Sequence, residues 1–358
     1  MKPLYRNLLL LFGLVAIGLM IWKFDVPPTL DMRRAVLFMP IILAIWLVAY
    51  CCYAAVFEII VNTGGDKHLD FAHSFKLTCS AFALTYATPF GFGGGPYRIM
   101  ELSHHIGMPR AVSSTTLYSL MHIISHFCLW ATGVVLFAVA YTEKMTPFFW
   151  VLFVVYLAVF FGALALFRFG YSNGLVERLF KLCLFWVPFV KGWARNYHAT
   201  HLEAFRKADS NIIYLRERPK AFWSSLALEY AGRILTGLEY FLILRAFGIT
   251  QCTFLDGLLV LCLASLLGNV LFILPMQIGA REGGIAIILK ILYGISGAAA
   301  GSLAVFVAFY SRIRELILII LGIVLIKVGN KHLITDRAEA ATKLLTEGDM
   351  PLQGTASA

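Results

Sequence analysis

The sequence predicts an all-α polytopic membrane protein with about six transmembrane helices and two re-entrant hairpins broken by proline and glycine. Three observations predict it. Hydrophobic residues make up 60% of the chain and charged residues 14%, whereas soluble domains carry about a quarter charged residues. Mean hydropathy is +0.79, and runs such as "AVLFMPIILAIWLVAYCCYAAVF" (35–57) reach the ~20 apolar residues that a membrane crossing needs. Finally, two distant segments share one plan. "LTYATPFGFGGGPYRIMEL" (84–102) and "LFILPMQIGAREGGIAIIL" (271–289) both run apolar, proline, glycine-rich turn with an arginine, apolar again.

Taken in order, spans are predicted at 4–22, 35–61, 112–140, 148–167, 222–247 and 302–326. Lys2 and Arg6 precede the first, as in a secretory signal. "IWKFD" follows it with no small-x-small cleavage pattern, so an uncleaved first span is expected. Between 168 and 220 lies a connection with ten Lys or Arg against four Asp or Glu, which places it in the cytoplasm. Its stretch from Gly174 to Phe205 mixes aromatics with cations, as an interfacial helix does. The net charge of +10 follows from such loops and needs no nucleic acid to explain it. The tail 329–358 is polar and is expected to be disordered.

The segments 71–107 and 254–300 are apolar but interrupted. Helix 35–61, broken segment and helix 112–140 recur in the same order as 222–247, broken segment and 302–326, which gives two repeats, about 35–140 and 222–326. With the N-terminus and the basic loop inside, the first hairpin enters from the cytoplasmic face. "GITQCT" (248–253) then falls outside, so the second hairpin enters from there and the C-terminus returns inside. Inverted repeats of this kind place substrate sites at their interrupted segments. The alternative is eight or more full spans, since 254–274 is long enough to cross.

The turn at 89–98, the turn "PMQIGAREGG" (275–284) and the order of spans resemble the transmembrane domain of lysylphosphatidylglycerol synthases and its stand-alone, flippase-like relatives. The resemblance covers about residues 5–328, so the transmembrane domain is taken as 1–328. In the synthases that domain moves an aminoacylated phospholipid between leaflets, and a separate soluble domain makes the lipid. With only a short polar tail after 328, the resemblance implies lipid handling without lipid synthesis, in a bacterial inner membrane.

The residues of the turns fit an anion. Gly91, Gly93, Gly94 and Gly95 let backbone turn tightly and expose N–H groups, and the following half-helix points its positive end at the same place. Arg98 adds a guanidinium suited to phosphate. The second turn offers Gly279, Arg281 and Glu282; Arg312 of "YSRIREL", with Glu315 three residues on, is expected either to line the same cavity or to form a solvated pair near one end of the span. An arginine near the membrane interior costs about 2.5–3.5 kcal/mol on insertion scales, and intramembrane charge is a functional signal. The bland reading makes the glycines packing devices and pairs Arg281 with Glu282 locally. Helix 222–247 carries Glu229 and Arg233 four apart on one face, and Glu239 off that face as a coupling carboxylate.

His122 and His126 share a helix face, and "ELSHH" supplies Glu101, His104 and His105. Ile123 stands where a zincin needs glutamate, so no metal and no cofactor is expected. The seven cysteines form no CxxC and read as core residues. No nucleophile elbow and no Walker loop occurs, which argues against an ATP-driven pump. The function expected is movement of an anionic phospholipid or polyprenyl-phosphate-linked lipid between leaflets, with membrane lipids as partners and a homo-oligomer allowed. The competing classes are an intramembrane enzyme acting on lipid-linked substrates and a non-catalytic membrane partner whose basic loop docks anionic lipid or protein.

Overall fold

The computed structural model describes residues 31–63, 68–88, 93–172, 177–178, 180–181, 191–200, 202–203, 205–206, 218–270 and 279–348, with side chains as far as 326. The predicted span 4–22, the turn residues 89–92 and 271–278 with Gly91, and much of the basic connection lie outside the described residues. What is described is all-helical: ten α-helices and a 3-10 turn, with no strand.

The helices are α1 (Met32–Thr63), α2 (Phe71–Ala87), α3 (Gly94–Ile106), α4 (Met108–Ala140), α5 (Pro147–Ser172), α6 (Lys191–Thr200), α7 (Pro219–Ala246), α8 (Phe254–Val270), α9 (Ala280–Tyr293) and α10 (Gly297–Gly348). By length and composition, Arg33–Thr63 and Met108–Ala140 suffice to cross a membrane. α7 has 28 residues and is also long enough; it carries charge because its ionised side chains face other helices. α10 continues past the apolar segment into the polar stretch from 329, as far as Gly348.

Local chemistry sets the boundaries. Gly107 has φ 82°, a conformation few side-chain-bearing residues tolerate, and it separates α3 from α4, which then starts with proline in its first turn. Gly294 (φ 70°) and Gly297 (φ 64°) likewise end α9 and admit α10. Pro40 sits inside α1, where it leaves one carbonyl without its helical N–H; membrane helices tolerate this because neighbours re-satisfy the backbone.

The interrupted segments each fold as a pair of short helices packed on one another, α2 with α3 and α8 with α9. They have 17, 13, 17 and 14 residues, each below the ~20 of a full crossing. Packing is paired between the two halves. α1 meets α7; α2 packs on α10 as α8 packs on α4; α1 meets α2 and α4, as α7 meets α8 and α10.

The hydrogen bonds at the helix ends sort them into two groups. Arg110 at the start of α4 donates to the Val61 carbonyl at the end of α1, 2.6 Å away, and Asn62 exchanges two bonds with the Leu69 backbone ahead of α2. At the far end of α4, the Tyr141 hydroxyl donates to Asp256 in the first turn of α8, and Lys144 donates to the Ile291 and Leu292 carbonyls at the end of α9. The Asp31 N–H reaches the Ala246 carbonyl that closes α7. The α2–α3 pair therefore opens at the start of α4, and the α8–α9 pair at its finish.

Two apolar cores match this division. Val56, Phe57, Leu69, Leu102 and Met121 gather around the first pair; Ile243, Leu244, Ile285, Leu289 and Val307 gather around the second.

Candidate functional site

α7 places its charges in two clusters. Glu229 and Glu239, both 0% exposed, are ten residues apart, about 15 Å along the helix.

The first cluster is built by α1, α3, α4 and α7. Glu229 Oε1 accepts from Arg233 Nη2 at 3.2 Å, the pairing that the four-residue spacing predicts, and lies 2.5 Å from His122 Nδ1. Arg233 Nε donates to the Ser125 hydroxyl, Nη1 lies 2.8 Å from His126 Nε2, and Nη2 also donates to the His122 carbonyl. His122 and His126 thus work with a carboxylate and a guanidinium. Among the described residues no group of three or more His, Cys, Asp or Glu is placed to hold a metal.

Arg98, from the first turns of α3, lies 4.4 Å from the Tyr118 ring and 5.3 Å from the Phe57 ring. Two buried atoms here have no hydrogen-bond partner among the described residues: Glu229 Oε2 and Arg98 Nε.

The second cluster is built by α1, α7, α9 and α10. Glu239 is held at 3.1–3.2 Å by Arg314 and at 2.8 Å by the Trp46 indole N–H, and the Arg314 guanidinium lies 3.7 Å over the Trp46 ring. Arg281 bonds Glu315 at 2.7 Å and the Ser311 hydroxyl at 3.3 Å; Arg312 bonds Glu282 at 2.5 Å. Arg281 and Glu282, adjacent in sequence, do not pair with each other but bridge to Glu315 and Arg312 on α10. Glu239, read together with Glu229 and Arg233, belongs to this other network.

Charge separates the two clusters. Arg281, Arg312 and Arg314 face Glu239, Glu282 and Glu315, so the second cluster balances. In the first, Arg98 and Arg233 face Glu229 alone, which leaves one positive charge unmatched when the imidazoles are neutral. Of these five arginines, Arg98 alone has no carboxylate within ion-pair distance among the described residues.

The half-helix N-termini differ in the same sense. At α9, Glu282 Oε2 accepts from the Gly279 N–H at 2.8 Å and closes the end; Gly279 supports this with φ 87°. α3 has no acidic residue in its first turn; its N-cap Gly93 N–H donates to the Thr88 hydroxyl at 2.8 Å, so among the described residues a neutral hydroxyl and no carboxylate meets its positive end.

The glycines divide between packing and access. A Cβ on Gly94 would stand 2.1 Å from Thr85 Oγ1 and 2.6 Å from the Ala81 carbonyl; one on Gly93 would meet the Leu84 carbonyl at 2.6 Å. These two let α3 approach α2. Among the described residues Gly95 has nothing within 4 Å of its Cβ position, so their packing does not require it.

Sequence reasoning did not select Trp46, Tyr53, Tyr118, Ser125 or Ser311. All are ordinary residues of apolar helices until the partner helix is known. The pairing of His122 with Glu229, 107 residues apart, left no local signal.

Outside the spans, Glu177 accepts from Lys181 at 2.6 Å and lies 2.9 Å from His198 on α6. The Lys181 bond holds the Glu177 carboxyl below its usual range, against burial that raises it.

One family model, described as the lysylphosphatidylglycerol synthase TM region, matches residues 8–322. No curated protein and no solved structure matches the chain.

Proposed function

Because the chain belongs to the family of the lysylphosphatidylglycerol synthase TM region and is an integral, lipid-associated membrane protein, we propose that it moves an anionic lipid between leaflets. The observation that carries this reading is Arg98. It is a guanidinium without a carboxylate partner among the described residues, set beside a half-helix N-terminus that only the neutral Thr88 hydroxyl meets. In hydrocarbon such an arrangement is costly unless an anion completes it. A phosphate headgroup supplies the charge and the acceptor oxygens, while the tails of the lipid stay in the bilayer.

The rest of the assignment follows from this site. Arg98 and the N–H group of Gly95 anchor the headgroup. Arg281, Glu282 and Arg312 act by holding α9 to α10, and Glu229, Arg233 and Glu239 tie α7 into the two halves. The halves, 35–140 and 222–326, form an inverted repeat whose hairpins enter from opposite faces. The opposed openings of the α2–α3 and α8–α9 pairs and their sub-crossing lengths support this. The basic loop sets the termini in the cytoplasm.

The test is mass spectrometry of lipids that co-purify with the wild-type chain and with Arg98→Ala. An anionic lipid enriched over bulk membrane in wild type and lost in the variant is expected. Matching profiles that both mirror bulk membrane would overturn the reading.

A further inference from the structure

We propose that His122 and Glu229 form a proton-binding site beside the headgroup site, so that a proton and an anionic headgroup bind together. The inference rests on Arg98 being the headgroup anchor.

Its geometry joins an accessible ring to a sealed carboxylate. The His122 side chain is 41% exposed and Glu229 is 0% exposed, with 2.5 Å between Nδ1 and Oε1. Ser119, one turn earlier on the same face of α4, is also exposed. An ionisable side chain on a membrane helix faces a water-filled cavity in preference to lipid. A carboxylate can only accept, so Nδ1 carries its hydrogen toward Oε1 and Nε2 is the atom that gains and loses the proton. On protonation Nε2 takes a proton from hydronium, which leaves as water, and the imidazole becomes a cation.

The surroundings make the two ligands depend on one another. The titratable or charged groups that face this pair are Cys52 and Tyr53 from α1, Arg98 from α3, Tyr118 and His126 from α4 and Arg233 from α7. From the other neighbours, Tyr156 on α5, Cys262 on α8 and Arg314 on α10 are engaged elsewhere, with the Phe127 carbonyl, the Leu129 carbonyl and Glu239. Arg98 and Arg233 against Glu229 leave one positive charge, and a protonated His122 would make two. A headgroup anion offsets that second charge. Tyr118 connects the two positions: its ring lies 4.4 Å from the Arg98 guanidinium and 6.1 Å from the His122 ring. By linkage, an anion that favours the proton is favoured by the proton to the same factor. Release of both on the opposite side gives proton-coupled lipid movement.

Two measurements on the full chain in detergent test this. First, calorimetric titration with a short-chain anionic phospholipid, in buffers of different ionisation enthalpy, counts protons taken up. About one proton per bound headgroup is expected near neutral pH for wild type and for the remote control His104→Gln, and none for His122→Gln. Second, infrared spectra recorded between about pH 5 and pH 8 without lipid read the imidazole–carboxylate pair directly. A titrating imidazole band that is present in wild type and absent in His122→Gln is expected.

Lipid bound with no proton uptake in wild type, or equal uptake in His122→Gln, overturns the proposal. So does an infrared titration that is the same in both proteins, whether or not lipid binds. If the infrared band is lost in His122→Gln but no anionic lipid binds wild type, the proton site stands on its own. The coupling falls in that case, along with the headgroup reading.

Discussion

A buried ion pair is tested by removing one partner and then both. Arg312 and Glu282 bond at 2.5 Å with almost no exposure, so Arg312→Met strands a carboxylate in the interior and is expected to cost about 3–5 kcal/mol. Adding Glu282→Gln removes the stranded charge and keeps an oxygen for the Gly279 N–H. The double variant should regain most of the loss in thermal unfolding in detergent. A double variant no more stable than the single would show that this pair is not what holds α9 to α10. The same residues show what sequence reaches. Arg281, Glu282, Arg312 and Glu315 were visible as intramembrane charge, but their partners were not, because the bonds run across 30 and 34 residues. Glu229 and Arg233 were legible as a pair because four residues is one helical turn.

At the scale of elements, the α2–α3 hairpin separates packing from binding. Gly94→Ala forces a methyl into the Ala81 carbonyl and Thr85, so it should lower the unfolding midpoint by an overpacking cost of about 1–3 kcal/mol. Gly95→Ala meets nothing and should leave stability equal or higher, as alanine favours helix by about 0.5–1 kcal/mol. If the open end of α3 holds a headgroup, Gly95→Ala lowers the co-purified anionic lipid without lowering the midpoint. Unchanged lipid in that variant would remove Gly95 from the site. Composition marked the glycine turn as unusual. Only the approach of α3 to α2 assigned Gly93 and Gly94 to packing and left Gly95 accessible.

At the scale of the whole molecule, the opposed openings of the two hairpins predict a labelling pattern. His105 lies at the open end of the first hairpin; Glu143 and Thr250 lie with the second, and all three are exposed. On intact cells, a membrane-impermeant maleimide should label Glu143→Cys and Thr250→Cys, each in a background lacking the native cysteines. His105→Cys should label only after permeabilisation. Equal labelling of all three on intact cells would end the inverted arrangement.

The sequence by itself determined the class: its apolar runs point to a helical membrane protein, because hydrocarbon admits only helices and closed barrels, and continuous apolar runs of about 20 residues fit the helix. It also carried the family, through two broken segments in a fixed order of spans. The tertiary structure alone decided which charges meet. It gave Glu239 to Arg314, separated it from Glu229, and left Arg98 without a carboxylate among the described residues. Helical periodicity fixes which face a side chain lies on, but an ion pair between helices depends on which helix packs there and at what depth, and no local spacing records either.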